Sequence, residues 1–112
     1  MRTRGGGIAP ACKEDGFMIS FMVRLKFAPE DRDDIAETLR QLATASRQEP
    51  GCVNYVPHRV EGEPDTVLIY EQYRDAAALT AHQESKHFKQ HAVGGLYQKM
   101  RERHREDLDA LV

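Results

Sequence analysis

Between Ile19 and Phe27 every odd position is apolar (Ile19, Phe21, Val23, Leu25, Phe27), while Ser20, Arg24 and Lys26 take even ones. Strict alternation lays one face of an extended strand on a core. Met18 and Met22 leave the other face less polar than a fully wet one. Pro29 suits the first turn of a helix, and Glu30, Asp31, Asp33 and Asp34 fall near its positive end. Ile35, Leu39, Leu42 and Ala43 then form one apolar stripe, which Pro50-Gly51 brings to a stop. Residues 52–60 are rich in β-formers but contain Pro57, which predicts a bulge or an exposed edge. A turn at 61–65 leads into TVLIYEQYR (66–74), the clearest strand in the chain. Asp75 is a good N-cap for a helix through Ala78, Leu79 and His82. That helix is predicted to run on, with a kink, past Phe88 and His91 until Gly94-Gly95 ends it. A further short helix is expected over 96–105, and the alternation of Leu108, Ala110 and Val112 predicts a fourth strand.

The order β-α-β-β-α-β is the split βαβ pattern of α+β ferredoxin-like folds, with an antiparallel sheet covered by helices on one face. Residues 1–16, with their three consecutive glycines, show no periodicity and read as a loose N-terminal arm, leaving 17–112 as the domain. At 112 residues, one modest core is what the chain can build.

Charge changes the picture mainly by exclusion. Lys+Arg 16 against Asp+Glu 18 gives a net charge of −2, so nothing favours nucleic acid or an acidic membrane surface. No apolar run is long enough to span a bilayer, and no secretory leader is evident, which predicts a cytoplasmic protein. Cys12 and Cys52 are too few for a disulfide framework or a cysteine-rich zinc site. Dinucleotide, phosphate-loop and nucleophile-elbow motifs are absent.

Candidate chemistry gathers around histidine. His87 and His91 lie four apart with Glu84 three before His87, a spacing that can chelate. A metal site normally takes three or four protein ligands and no companion motif supplies them, so no metal is expected. His82 follows Ala78 and Leu79 by one turn and should point inward, as a core residue or as a general base. On the strand 66–74, Val67, Ile69, Glu71 and Tyr73 share a face. A glutamate there needs a partner, either a structural one such as Arg47, Arg59 or a backbone amide, or a histidine or substrate hydroxyl that it orients. Tyr55 should share its face with Val53 and lean toward the helices, with Asn54 on the opposite face.

Taken in order, SRQEPGCVNY and VLIYEQYRDAAALTAHQESKHF resemble the antibiotic biosynthesis monooxygenase family. The family pattern is an E-P-G-C-x-x-Y segment (Glu49, Pro50, Gly51, Cys52, Tyr55), a strand ending in E-x-aromatic (Glu71, Tyr73), and a helix with H-x-x-S-x-H-F (His82, Ser85, His87, Phe88). The resemblance covers about Met18 to Arg103. It implies a dimeric α+β barrel in which two sheets pack face to face, burying Met18 and Met22 against the partner, with a pocket between each sheet and its helices. Most members carry tryptophan where this chain has Tyr73, and the chain has no tryptophan. The haem-degrading branch uses a first-strand asparagine and a helical tryptophan, neither of which is present here.

The expected function is a cofactor-independent monooxygenase that oxidises a quinol or other electron-rich hydroxyaromatic with O2, as a homodimer. Such a substrate supplies its own electrons once deprotonated, so the protein needs only a base, donors for an oxyanion and a dry pocket. The candidate catalytic residues are His82, His87, Tyr55, Asn54 and Glu71. Val53, Ile69, Tyr73, Phe88 and His91 are candidate substrate contacts. The alternatives are isomerisation or breakdown of a small polar signalling molecule, and a non-catalytic dimeric ligand-binding domain.

Overall fold

A computed structural model describes residues 17–111; the proposed arm at 1–16 and Val112 lie outside the described residues. The elements are β1 (Ile19–Lys26), a 3-10 turn (Pro29–Asp31), α1 (Arg32–Ser46), β2 (Cys52–Val60), β3 (Glu63–Tyr73), α2 (Ala76–Gln83), a π-helix (Phe88–Leu96) closed by one α turn (Tyr97–Lys99), and β4 (Glu102–Leu108). The four strands form one antiparallel sheet in the order β2-β3-β1-β4, the α+β ferredoxin-like arrangement.

Pattern and burial agree along β1 and just past its end, where Phe21, Val23, Leu25 and Phe27 are buried. They meet Ile69 and Val67 of β3 and the stripe Ile35, Leu39, Leu42 and Ala43 of α1, so the core lies between one sheet face and the helices. The Asp75 carboxylate caps α2 by accepting the Ala78 N–H at 2.8 Å, a contact of about 1 kcal/mol. Pro57 sits on the edge strand β2, where a missing N–H is tolerated. The register shifts in β2 fall elsewhere, between Cys52 and Asn54 and between Arg59 and Val60.

Three expectations fail at the C-terminal end. Gly94 and Gly95 do not end the helix but lie within the π-helix. A Cβ on Gly95 would sit 3.4 Å from Thr38 Cγ2 of α1, and one on Gly94 would crowd the Lys89 carbonyl at 3.3 Å. Their small size therefore serves close packing of a wide-wound helix. The helix expected over 96–105 ends at Lys99, and the fourth strand is Glu102–Leu108 rather than the stretch from Leu108 on. The Arg101 N–H donates to the Lys26 carbonyl at 2.7 Å, and the chain then pairs with β1 from Glu102↔Lys26 to Ser20↔Leu108. Pairing with the edge of β1 makes this strand, because RERHRED has no β-forming pattern of its own.

Candidate functional site

The chain brings its chemistry together below β3, and Gly51 is the reason it can. After α1 the segment Glu49–Gly51 turns back under α2, and a Cβ on Gly51 would lie 2.3 Å from the Ala78 Cβ. The Arg74 N–H donates to the Gly51 carbonyl at 2.8 Å and fixes the loop to the start of α2. Glu49 thereby reaches His82, one turn beyond Ala78. Any larger residue at position 51 overpacks this contact, a change that costs about 1–3 kcal/mol.

His82 is 1% exposed. Its Nδ1 donates to Glu49 Oε2 at 2.9 Å, since a carboxylate only accepts. His87 Nε2 hydrogen-bonds to the same oxygen. Glu49 Oε1 is buried with no partner among the described residues. With Nδ1 committed, the lone pair of His82 falls on Nε2, which stands 4.0 Å from Glu71 Oε1. Tyr73, Phe88 and Tyr55 surround the imidazole with ring centroids at 5.0, 5.1 and 5.7 Å. Burial in this apolar setting lowers the His82 pKa against the opposing pull of Glu49. His82 is therefore a neutral imidazole at pH 7.

Glu71 is buried as well, and its expected arginine or amide partner is replaced by Tyr73, whose hydroxyl donates to Oε1 at 2.7 Å. Arg47 instead bonds the Tyr55 carbonyl through Nε at 2.9 Å. Burial raises Glu71 to about 7, even though the Tyr73 bond and the charges of Arg105 and Arg103 pull it down. Burial and the neighbouring Glu71 hold the Tyr73 phenol far above its ordinary range, and burial does the same to Tyr55. Both phenols are thus hydrogen-bonding groups rather than bases.

A cavity of about 40 Å³ opens against these groups, lined by Tyr55, Ile69, Glu71, His82 and Phe88 and by Arg103 and Arg105 of β4. His87 joins the cluster through Glu49, and Tyr73 through Glu71 and the His82 ring. The remaining expected residues lie elsewhere. Asn54 is on the opposite sheet face, donating to Gln72 Oε1 at 2.9 Å, and Gln72 in turn donates to the Ser20 hydroxyl at 3.0 Å. Val53 does not share the inward face of Tyr55: the register shift between Cys52 and Asn54 leaves it 47% exposed. His91 is half-buried and not a cavity wall.

Glu49, Arg103 and Arg105 were not among the expected site residues. The E-P-G-C segment pointed to Glu49, whereas the arginines fell in a stretch read as helix. As for metal, the ligand atoms of Glu49, His82 and His87 lie within 4.8 Å of one another, a set able to hold an ion. Glu84 and His91, whose spacing to His87 alone could chelate, take no part in it.

Among the described residues no helix is long and apolar enough to cross a membrane. Comparison with known proteins gives the same picture from three directions. The family model described as antibiotic biosynthesis monooxygenase matches residues 18–93. The Bacillus subtilis (strain 168) protein named "Putative monooxygenase YcnE" is 32% identical over 71 residues, which is 63% of this chain and 75% of that protein. The crystal structure of PA3566 from Pseudomonas aeruginosa superposes with a TM-score of 0.78 at 27% identity, covering 86% of this chain and 96% of that one. A crystal structure described as an antibiotic biosynthesis monooxygenase superposes with a TM-score of 0.77 at 25% identity, covering 84% and 99%.

Proposed function

Because the chain belongs to the antibiotic biosynthesis monooxygenase family, we propose that it oxidises a quinol or other electron-rich hydroxyaromatic with O2, without a cofactor and as a homodimer. One observation carries this reading. His82 is buried at the wall of a cavity, its Nδ1 tied to Glu49 at 2.9 Å and its Nε2 4.0 Å from Glu71 Oε1.

In this mechanism His82 Nε2 takes the phenolic proton of the quinol, and Glu49, held in turn by His87, stabilises the imidazolium that forms. Glu71, protonated up to about pH 7, donates a hydrogen bond to the developing oxyanion while accepting one from Tyr73. The quinolate passes one electron to O2, and the radical pair joins at a ring carbon as a peroxide. His82 returns its proton there, the ring C–H proton leaves, and the O–O bond breaks to release water. Quinol plus O2 thus becomes hydroxyquinone plus water, with all four electrons drawn from the substrate. A volume of about 40 Å³ is too small for an aromatic ring, so the half-buried Phe88 and Tyr97 must move outward on binding.

The homodimer reading rests on the helix-free sheet face, where half-buried Met22, Val56, Leu68 and Tyr70 are aligned by register. Sedimentation should give about twice the 12.7 kDa chain mass, and a monomer at micromolar concentration would refute it. Oxygen uptake tests the chemistry. The purified protein, with EDTA and no flavin or reductant, should consume O2 above autoxidation with at least one member of a quinol and dihydroxynaphthalene panel. No uptake across the panel would shift the assignment to proton-transfer chemistry or to ligand binding.

A further inference from the structure

The two arginines of the cavity wall belong to neither the core nor the proton path. In β4 the residues opposite Leu25, Val23 and Phe21 are Arg103, Arg105 and Asp107, so these three side chains stand on the helix-facing side of an edge strand. The Arg105 guanidinium lies 3.9 Å from the centre of the Phe21 ring, and its Nε donates to Asp107 Oδ1 at 2.9 Å. It is held over the Phe21 ring at the cavity wall, with its remaining N–H groups free of Asp107. Arg103 has no ion-pair partner among the described residues, although it too lines the cavity. Asp107 takes only the Nε of Arg105, and buried Glu71 forms no ion pair with either arginine among the described residues. Glu71 spends its Oε1 on Tyr73, and burial keeps it largely protonated below about pH 7.

We propose that Arg103 and Arg105 form an anion subsite at the mouth of the His82 cavity, and that the substrate is a hydroxyaromatic bearing a carboxylate. The inference rests on that cavity being the substrate site, as read above. A guanidinium presents paired N–H donors that match a carboxylate. Two of them on one wall, beside an aromatic face, would hold a planar acid with its ring directed at His82. A carboxylate fixed there leaves the ring hydroxyl as the group that Nε2 meets.

Binding isolates this proposal from the oxidation itself. The affinity of 1-hydroxy-2-naphthoate is compared with that of 1-naphthol by calorimetry, in the wild-type protein, in Arg103→Gln and in Arg103→Gln/Arg105→Gln. The carboxylate should bind about 10- to 100-fold more tightly than the neutral phenol in the wild type. Its advantage should shrink as salt rises. It should fall to within about twofold in the double variant and recover in part in Arg103→Lys, with thermal melting confirming that each variant is folded. Equal affinities in the wild type, no detectable binding of either compound, or a preference that survives in the double variant would each overturn the anion subsite. A preference that follows the arginines, without oxygen uptake from 1,4-dihydroxy-2-naphthoate, would keep the subsite and refute the oxygenase instead.

Discussion

Between α1 and the hairpin of β2 and β3 lies an open groove of about 460 Å³, floored by Phe27, Ile35, Leu39 and Val67 and rimmed by Arg32, Arg40, Arg47 and Arg59. The cavity under β3 encloses only about 40 Å³. Volume alone points to the groove, since pockets for small molecules usually reach several hundred Å³. Chemistry points the other way. Arg32 is paired with Asp65 at 2.8 Å, Arg40 with Glu37 at 3.2 Å, and Arg47 is bonded to the Tyr55 carbonyl. Arg32 and Arg47 are occupied with holding α1 to the sheet hairpin, and Arg40 with an ion pair inside α1 itself. In the small cavity, by contrast, a histidine and a carboxylic acid are held away from their ordinary protonation behaviour by burial. Perturbed titration beside a concave surface marks a functional site better than size does.

The sharpest way to break this comparison is His82→Ala. Removing the base from the small cavity should lower turnover of an oxidised quinol by about 10²–10⁴-fold, with the fold retained. A loss under tenfold, measured as oxygen uptake, would return His82 to a packing role and the cavity to the status of a core defect.

Next in size comes the pH response of Glu71→Gln. A neutral His82 is required, so kcat/KM should rise as pH climbs through the lowered His82 pKa, below 6.5. A protonated Glu71 is also required, so activity should fall as pH passes about 7. The amide of Glu71→Gln still donates but does not ionise; the upper limb should vanish while the lower one stays. Stability carries the same sign. Across about 4.5 to 7 the folded carboxyl keeps a proton that the unfolded one has released, so its contribution is complete below 4.5 and lost as pH rises toward 7. His82 acts oppositely, favouring the fold above 6.5 and losing that contribution as pH falls through its lowered pKa. Thermal melts of Glu71→Gln should therefore lose the decline between 4.5 and 7. An unchanged pH profile in both measurements would show that Glu71 is not the titrating group.

How far the sequence reveals each region follows from the kind of force that builds it. The alternation in β1, the stripe of α1, the face shared by Ile69, Glu71 and Tyr73, and the Asp75 cap are local patterns that survive into the structure. Inward burial of His82 was legible for the same reason. The pairing of Glu49 with His82 spans 33 residues and depends on a tertiary close approach at Gly51, which no period encodes. A register shift of the kind seen at Val53 reverses a two-residue count without leaving any mark in composition. Least legible of all was β4, whose charged residues suit a helix and become a strand only because the free edge of β1 accepts them. Arg103 and Arg105 were hidden with it.

The smallest expected effect falls on the groove. Ala36 is half-buried on α1 and lines that space, so Ala36→Trp should fill it without touching the cavity under β3. If the groove is only the seam where α1 crosses the hairpin, oxygen uptake and its KM should stay within about twofold of the wild type, the range expected for a surface change away from the chemistry. A melting temperature close to that of the wild type would show that α1 still seats on the sheet. A tenfold rise in KM in a well-folded variant would reverse the comparison, because it would place substrate in the larger space and leave the buried histidine as part of the core.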